Sequence, residues 1–238
     1  MSRASSSRHI GRAGASSDAR FREERIKNLK SGWKGWLVIA MFAPASVLFM
    51  VLWGKLGLAV GGWILGFVTA IGLFGWMVGF DVHSLTYRWG AWGEEYTRDE
   101  LARLGPDWFV RHDIPNPYAN WDHVVVGPPG IFMIDSKRLS NPRIKVEADG
   151  LASGSIRLRG TTFRGRALGL KKALTARVGS IPDVEAVVAI WGNFDGEPQE
   201  RDRVVYLNAS SLIEWLESRP PAISPEQRAL ITSALERL

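Results

Sequence analysis

The sequence predicts an α/β fold, a mixed β-sheet flanked by helices, preceded by a transmembrane α-hairpin. Two observations predict it. Between Gly35 and Phe80 the only charged residue is Lys55, too little charge for a water-facing segment. From Gly90 onward, helix-like and strand-like patterns follow one another as helix, a run of strands, helix, strand, strand, helix, helix. The chain also has no cysteine, which removes disulfide frameworks, zinc–thiolate sites and cysteine nucleophiles and suits a reducing compartment.

The net charge of +6 belongs to the N-terminal tail. Residues 1–34 hold Arg3, Arg8, Arg12, Arg20, Arg22, Arg25, Lys27, Lys30 and Lys34 against Asp18, Glu23 and Glu24, so residues 35–238 sum to zero. Residues 1–20 are rich in Ser, Ala, Gly and Arg and are expected to be disordered, with a short charged helix over Phe21–Lys30. Within 35–80, two spans of adequate length fit, about 36–53 and about 58–80, separated by Gly54-Lys55-Leu56-Gly57. Trp33, Trp36, Trp53, Trp63 and Trp76 lie mostly near the span ends, where an aromatic belt belongs. The apolar block starts too late and is too long for a cleaved signal peptide. The basic tail fixes orientation, so a two-span cell-membrane protein with both termini cytoplasmic is expected, with the lipid bilayer as a partner. Gly57/Gly61, Gly62/Gly66 and Gly75/Gly79 have the spacing that lets spanning helices approach closely, which suggests a homo-oligomer through the second span.

Residues 81–89 read as a linker and 90–238 as the folded domain. A helix is expected over 91–104, stopped by Gly105-Pro106. Strands are expected at 108–111, 121–126 and 131–135, the last two flanking the turn Gly127-Pro128-Pro129-Gly130. A weaker pair, 143–147 and 155–159, surrounds Asp149-Gly150. A helix over 164–178, strands at 184–191 and 204–207, and two closing helices complete the order. The latter carry capping-box signatures at Ser211–Glu214 and Ser224–Gln227.

The 121–137 hairpin carries the chemistry. If Val126 faces Ile131 across the four-residue turn, Asp122 faces Asp135, with Cβ atoms roughly 5 Å apart. Lys137 shares the face of Asp135, because strand side chains alternate. Two carboxylates so close repel unless a cation sits between them, and a hard divalent ion with oxygen ligands would serve. On spacing alone, opposed Asp residues near strand ends are usually solvated turn residues. His123 belongs on the opposite face and reads as structural, and neither His83 nor His112 has a partner pattern. No phosphate-binding glycine loop, dinucleotide fingerprint or nucleophile elbow is present.

Three blocks in order, Gly90–Glu94, Trp121–Pro128 and Gly130–Lys137, resemble the nuclease-related domain (NERD) of the PD-(D/E)XK superfamily, over about 88–205. The resemblance implies a restriction-endonuclease-like fold and Mg²⁺-assisted (or Mn²⁺-assisted) hydrolysis of DNA or RNA phosphodiesters. It implies Glu94, Asp122 and Asp135 as metal ligands, and these three with Lys137 as the catalytic set. The chain departs from the family pattern in carrying Asp rather than Glu at position 135. It also lacks a glutamine in the helix segment 169–174.

Residues 157–177 hold Arg157, Arg159, Arg164, Arg166, Lys171, Lys172 and Arg177 with no acid, a pattern that fits phosphate contact as well as a solvated face. The expected function is a membrane-anchored, metal-dependent nuclease. The alternatives are a nucleic-acid or anionic-partner binding module without turnover, and a membrane scaffold.

Overall fold

The computed structural model describes residues 7–31, 44, 48, 51, 52, 54–116 and 120–238. The chain divides into two compact units, Ser17–Arg88 and Met1–Ser16 with Trp89–Leu238.

The first unit holds most of α1 (Ala15–Ser31) and the N-terminal part of α2 (Gly54–Leu101). Among the described residues no helix is long and apolar enough to cross a membrane. This overturns the expected two-span anchor, the multi-pass localisation read from it and the lipid bilayer as a partner. The first expected span, about 36–53, lies outside the described residues except at positions 44, 48, 51 and 52. The second falls inside α2, a helix of 48 residues that does not stop at Phe80 but continues through Asp81, Arg88, Glu94 and Arg98. Gly57, Gly61, Gly62, Gly66, Gly75 and Gly79 all fall within α2. Without a spanning helix, the close-packing role assigned to these glycines in a bilayer loses its basis. The expected linker 81–89 is helical, because the stretch contains neither Gly nor Pro to stop propagation.

In the second unit residues 7–16 of the tail are ordered where disorder was expected. β1 (Arg8–Ile10) pairs in parallel with β2 (Phe109–Ile114), Arg8 opposite Phe109 and Ile10 opposite Arg111. Composition counts side chains and misses what backbone amides can do at an open sheet edge. Gly11 closes this strap at φ 89°, where a Cβ would strike the His112 carbonyl.

The hairpin β3 (Trp121–Gly127) and β4 (Gly130–Arg138) follows β2 antiparallel. Three short strands, β5 (Ile144–Glu147), β6 (Gly150–Ser153) and β7 (Ile156–Arg159), form a separate sheet, so the weak pair around Asp149-Gly150 is in fact a three-strand meander. α3 (Gly160–Val178) then leads to β8 (Val184–Trp191), β9 (Gln199–Arg201) and β10 (Val204–Asn208). The large sheet has the order β1-β2-β3-β4-β8-β10-β9, with β4, β8 and β10 parallel. It is a mixed sheet flanked by helices, consistent with a nuclease-like fold.

Each face buries its own apolar layer. Val125, Phe132, Ile134, Val187 and Leu207 pack with Leu101 of α2 and with Leu212 and Leu216 of α4 (Leu212–Ser218). Val124, Val126, Ile131, Met133 and Val188 pack with Phe163, Ala167, Leu170 and Leu174 of α3 and with Ile231 and Leu235 of α5 (Pro225–Glu236). Each such side chain stabilises the fold by about 1.5–3 kcal/mol relative to exposure. The two faces separate even from odd positions of β4, and this decides what each polar side chain of the hairpin meets.

The Ser224 capping box forms: Ser224 Oγ accepts from the Gln227 amide and Gln227 Oε1 accepts from the Ser224 amide, both at 3.2 Å. The box expected at Ser211 does not. Ser211 sits at the end of a 3₁₀ turn, Ala209–Ser211, in a non-extended conformation, and Asn208 caps that turn by accepting from the Ser210 amide at 3.0 Å.

Candidate functional site

The hairpin register is the expected one. Val126 pairs with Ile131 and His123 with Ile134, so Asp122 falls opposite Asp135 one step further along. Asp135 lies in the middle of the sheet, fully buried between β3 and β8. Asp135 and Lys137 point to the face covered by α3, where Lys137 stands 5.8 Å from the Phe163 ring centroid.

The cation between the two acids is Arg166, from the buried side of α3. One guanidinium nitrogen, Nη1, pairs with Asp135 Oδ1, and the other, Nη2, donates to Asp122 Oδ1 at 3.1 Å and to the Asn120 carbonyl. The Lys137 ammonium pairs with Asp135 Oδ2. The remaining oxygen, Asp122 Oδ2, accepts the Ser136 amide at 3.1 Å. The Trp121 indole donates to the Arg166 carbonyl at 3.0 Å and locks helix and hairpin together. Burial pushes the Asp135 pKa up, against the pull of Lys137, while Asp122 adds to the rise and Arg166 opposes it. Burial alone would lower Lys137 and Arg166, but the two carboxylates outweigh it and hold both cations above their usual values. Two negative and two positive groups thus meet on one sheet face, and their formal charges cancel.

Glu94 is in different company. It is carried by α2, which packs on the other face, that of His123 and Ser136, and its Oε2 accepts the Gly14 amide at 2.9 Å. Among the described residues no group of three or more His, Asp or Glu side chains is placed to hold a metal ion. The expected ligand set Glu94, Asp122 and Asp135 therefore does not fit Mg²⁺ or Mn²⁺ as arranged, and no chemical step is derived through a metal.

The face opposite Asp135 holds a polar chain that the sequence reading missed at His112 and at His9. His9 Nδ1 meets His112 Nε2 at 3.0 Å, His112 Nδ1 meets His123 Nδ1 at 2.7 Å, and His123 Nε2 meets Ser136 Oγ at 3.1 Å. Ser136 donates to Thr97 Oγ1 at 2.8 Å, and Thr97 donates to the Gly93 carbonyl at 3.0 Å. Ser136 spends its one proton on Thr97, so it must accept from His123 Nε2–H. Each ring before it must then donate in the same direction. His112 and His123 are neutral in this arrangement, one proton each. Burial first, and neighbouring histidines after it, push His112 down to about 3. Burial likewise takes His123 to about 3, although Asp135 pulls it the other way.

The basic stretch is largely spoken for. Arg157 pairs with Glu147, Arg164 with Asp202 and Lys171 with Asp183, while Arg166 serves the acid pair. Arg159, Lys172 and Arg177 make no ion pair among the described residues. Lys172 and Arg166, with Trp121, Thr161 and Thr162, line an open cleft of about 640 Å³ along α3, beside the acid pair.

A mixed sheet between helices, with an acid pair and a lysine on its central hairpin, is consistent with a nuclease-like α/β fold. In agreement, the family model of the nuclease-related domain (NERD) matches residues 89–163. That stretch is shorter than the expected 88–205: it takes in Glu94, Asp122, Asp135 and Lys137 and ends three residues before Arg166. No curated protein and no solved structure matches the chain.

Proposed function

We propose that the nuclease-related domain and the elements that complete it bind nucleic acid through its phosphates, as a module whose acid pair is neutralised from within. The observation that carries this reading is the cleft along α3. Its wall presents Lys172 and the hydroxyl-bearing Thr161 and Thr162, groups suited to phosphate oxygens. Two bare carboxylates beside that wall would repel a phosphate backbone, and their pairing with Arg166 and Lys137 removes the repulsion. Fluorescence anisotropy with labelled single- and double-stranded DNA and RNA tests the proposal. Two or three phosphate contacts should weaken binding roughly ten- to forty-fold between 50 and 200 mM salt. Lys172→Glu should weaken it further. Absence of binding to all four substrates at low salt would sink the reading.

A second reading, phosphodiester hydrolysis, is favoured by one observation: Asp122, Asp135 and Lys137 share a sheet face, as the family resemblance implies. Cleavage of the same oligonucleotides, with and without Mg²⁺ or Mn²⁺, decides it. Equal products from wild type and Asp135→Ala would remove it.

A further inference from the structure

Each oxygen of the acid pair faces a partner within the protein. Asp122 Oδ1 and Asp135 Oδ1 face the Arg166 guanidinium, Asp122 Oδ2 takes the Ser136 amide, and Asp135 Oδ2 faces Lys137. A small divalent ion needs about six oxygen ligands in near-octahedral array and repels cations close by. Here two cations are already in contact with the carboxylates, one of them seated between the two.

Arg166 is held in that position by more than charge. Its own carbonyl accepts the Trp121 indole proton, and its Nη2 also donates to the Asn120 carbonyl. Its helix is anchored on both sides by buried Phe163, Ala167 and Leu170. A planar fork with two donor nitrogens matches two carboxylates side by side in a way an ammonium cannot.

We infer that Arg166 is the resident counter-cation of Asp122 and Asp135, standing where a divalent ion would need to sit, so that the protein as folded binds no metal at this pair. The inference does not depend on nucleic-acid binding. Arg166 also lies outside the residues matched to the nuclease-related family.

The test is a Mn²⁺ titration of the full chain followed by electron paramagnetic resonance of free Mn²⁺, with thermal melting of each variant alongside. Wild type should show no saturable site dependent on Asp122. Arg166→Ala and Arg166→Gln should each gain one site per chain, and a second change, Asp122→Asn, should remove it. A saturable site in wild type that Asp122→Asn abolishes overturns the inference. So does a cooperatively melting Arg166→Ala that gains none. If neither Arg166 variant melts cooperatively, the wild-type titration decides alone, a site counting against the inference and its absence for it.

Discussion

Asp135 concentrates the electrostatics of the domain in one side chain. It is 0% exposed, and it compensates Lys137 directly and Arg166 together with Asp122. Asp135→Asn leaves two partly buried cations sharing one partly exposed carboxylate. Removing one member of a buried charge pair costs about 3–5 kcal/mol, and urea unfolding of that variant should show a loss of this size. Asp122→Asn should cost less, because its side chain retains 16% exposure to water and Asp135 still faces Arg166.

A pH dependence belongs to the same scale. His112 and His123 both titrate near 3 in the fold, against an unperturbed value of 6.5, so the unfolded chain binds more protons between those limits. Their contribution is complete above pH 6.5 and is lost as pH falls toward 3. Each ring contributes a slope of about 1.4 kcal/mol per pH unit over that window. Asp135, raised above 3.8, contributes the opposite slope, one carboxyl against two rings. Stability from urea melts should fall between pH 6.5 and 4.5, and His112→Gln should make that fall shallower. An unchanged slope would mean that the rings are not buried neutral.

Part of this chemistry was legible in the residues. The turn Gly127–Gly130 and alternating apolar runs set the register, and register alone places Asp122 opposite Asp135 with Lys137 beside it. Arg166 was not recognised, because it was read with its neighbours as part of a basic run. The clue was its place on the stripe Phe163, Ala167, Leu170, Leu174, where a cation among core positions demands a buried partner. His112 and His9 offered no local signal, since their partners come from strands that only the fold brings together.

At the level of elements, the N-terminal strap is where sequence reading and structure part. Its low hydrophobicity predicts disorder, yet β1 completes an edge of the sheet, Gly14 reaches Glu94, and the Ser16 amide donates to Asp113 Oδ2 at 2.7 Å. Deleting residues 1–12 should expose the β2 edge and leave His112 Nε2 without its donor. A buried acceptor left unpaired costs about 1–3 kcal/mol. The melting temperature should drop, and amide exchange in Phe109–Ile114 should quicken; unchanged exchange there would show that the strap is dispensable. The helices were read better at their caps than in their extent. Ser224-Pro225-Glu226-Gln227 forms its box, whereas α2 runs on past the point where a span and a linker were expected, because no helix-breaking residue separates the two stretches.

For the whole molecule, the fold class follows from the order of elements, and the nuclease-related match to residues 89–163 agrees with it. The expected membrane hairpin rests on the near-absence of charge over 35–80, and among the described residues no helix is long and apolar enough to cross a membrane. The expected three-acid metal centre rests on likeness, whereas Glu94 is carried on the sheet face opposite Asp122 and Asp135. Both expectations concern relations between distant segments, which local spacing does not encode. What remains is a domain with a self-compensated acid pair next to an open cleft.

The measurement that tests this most directly is a crystal structure of the full chain grown with Mn²⁺, with anomalous data collected at the manganese edge. The account predicts the Arg166 guanidinium between Asp122 and Asp135 and no anomalous peak at that position. A manganese peak coordinated by those two carboxylates, with the Arg166 side chain turned away, would contradict it.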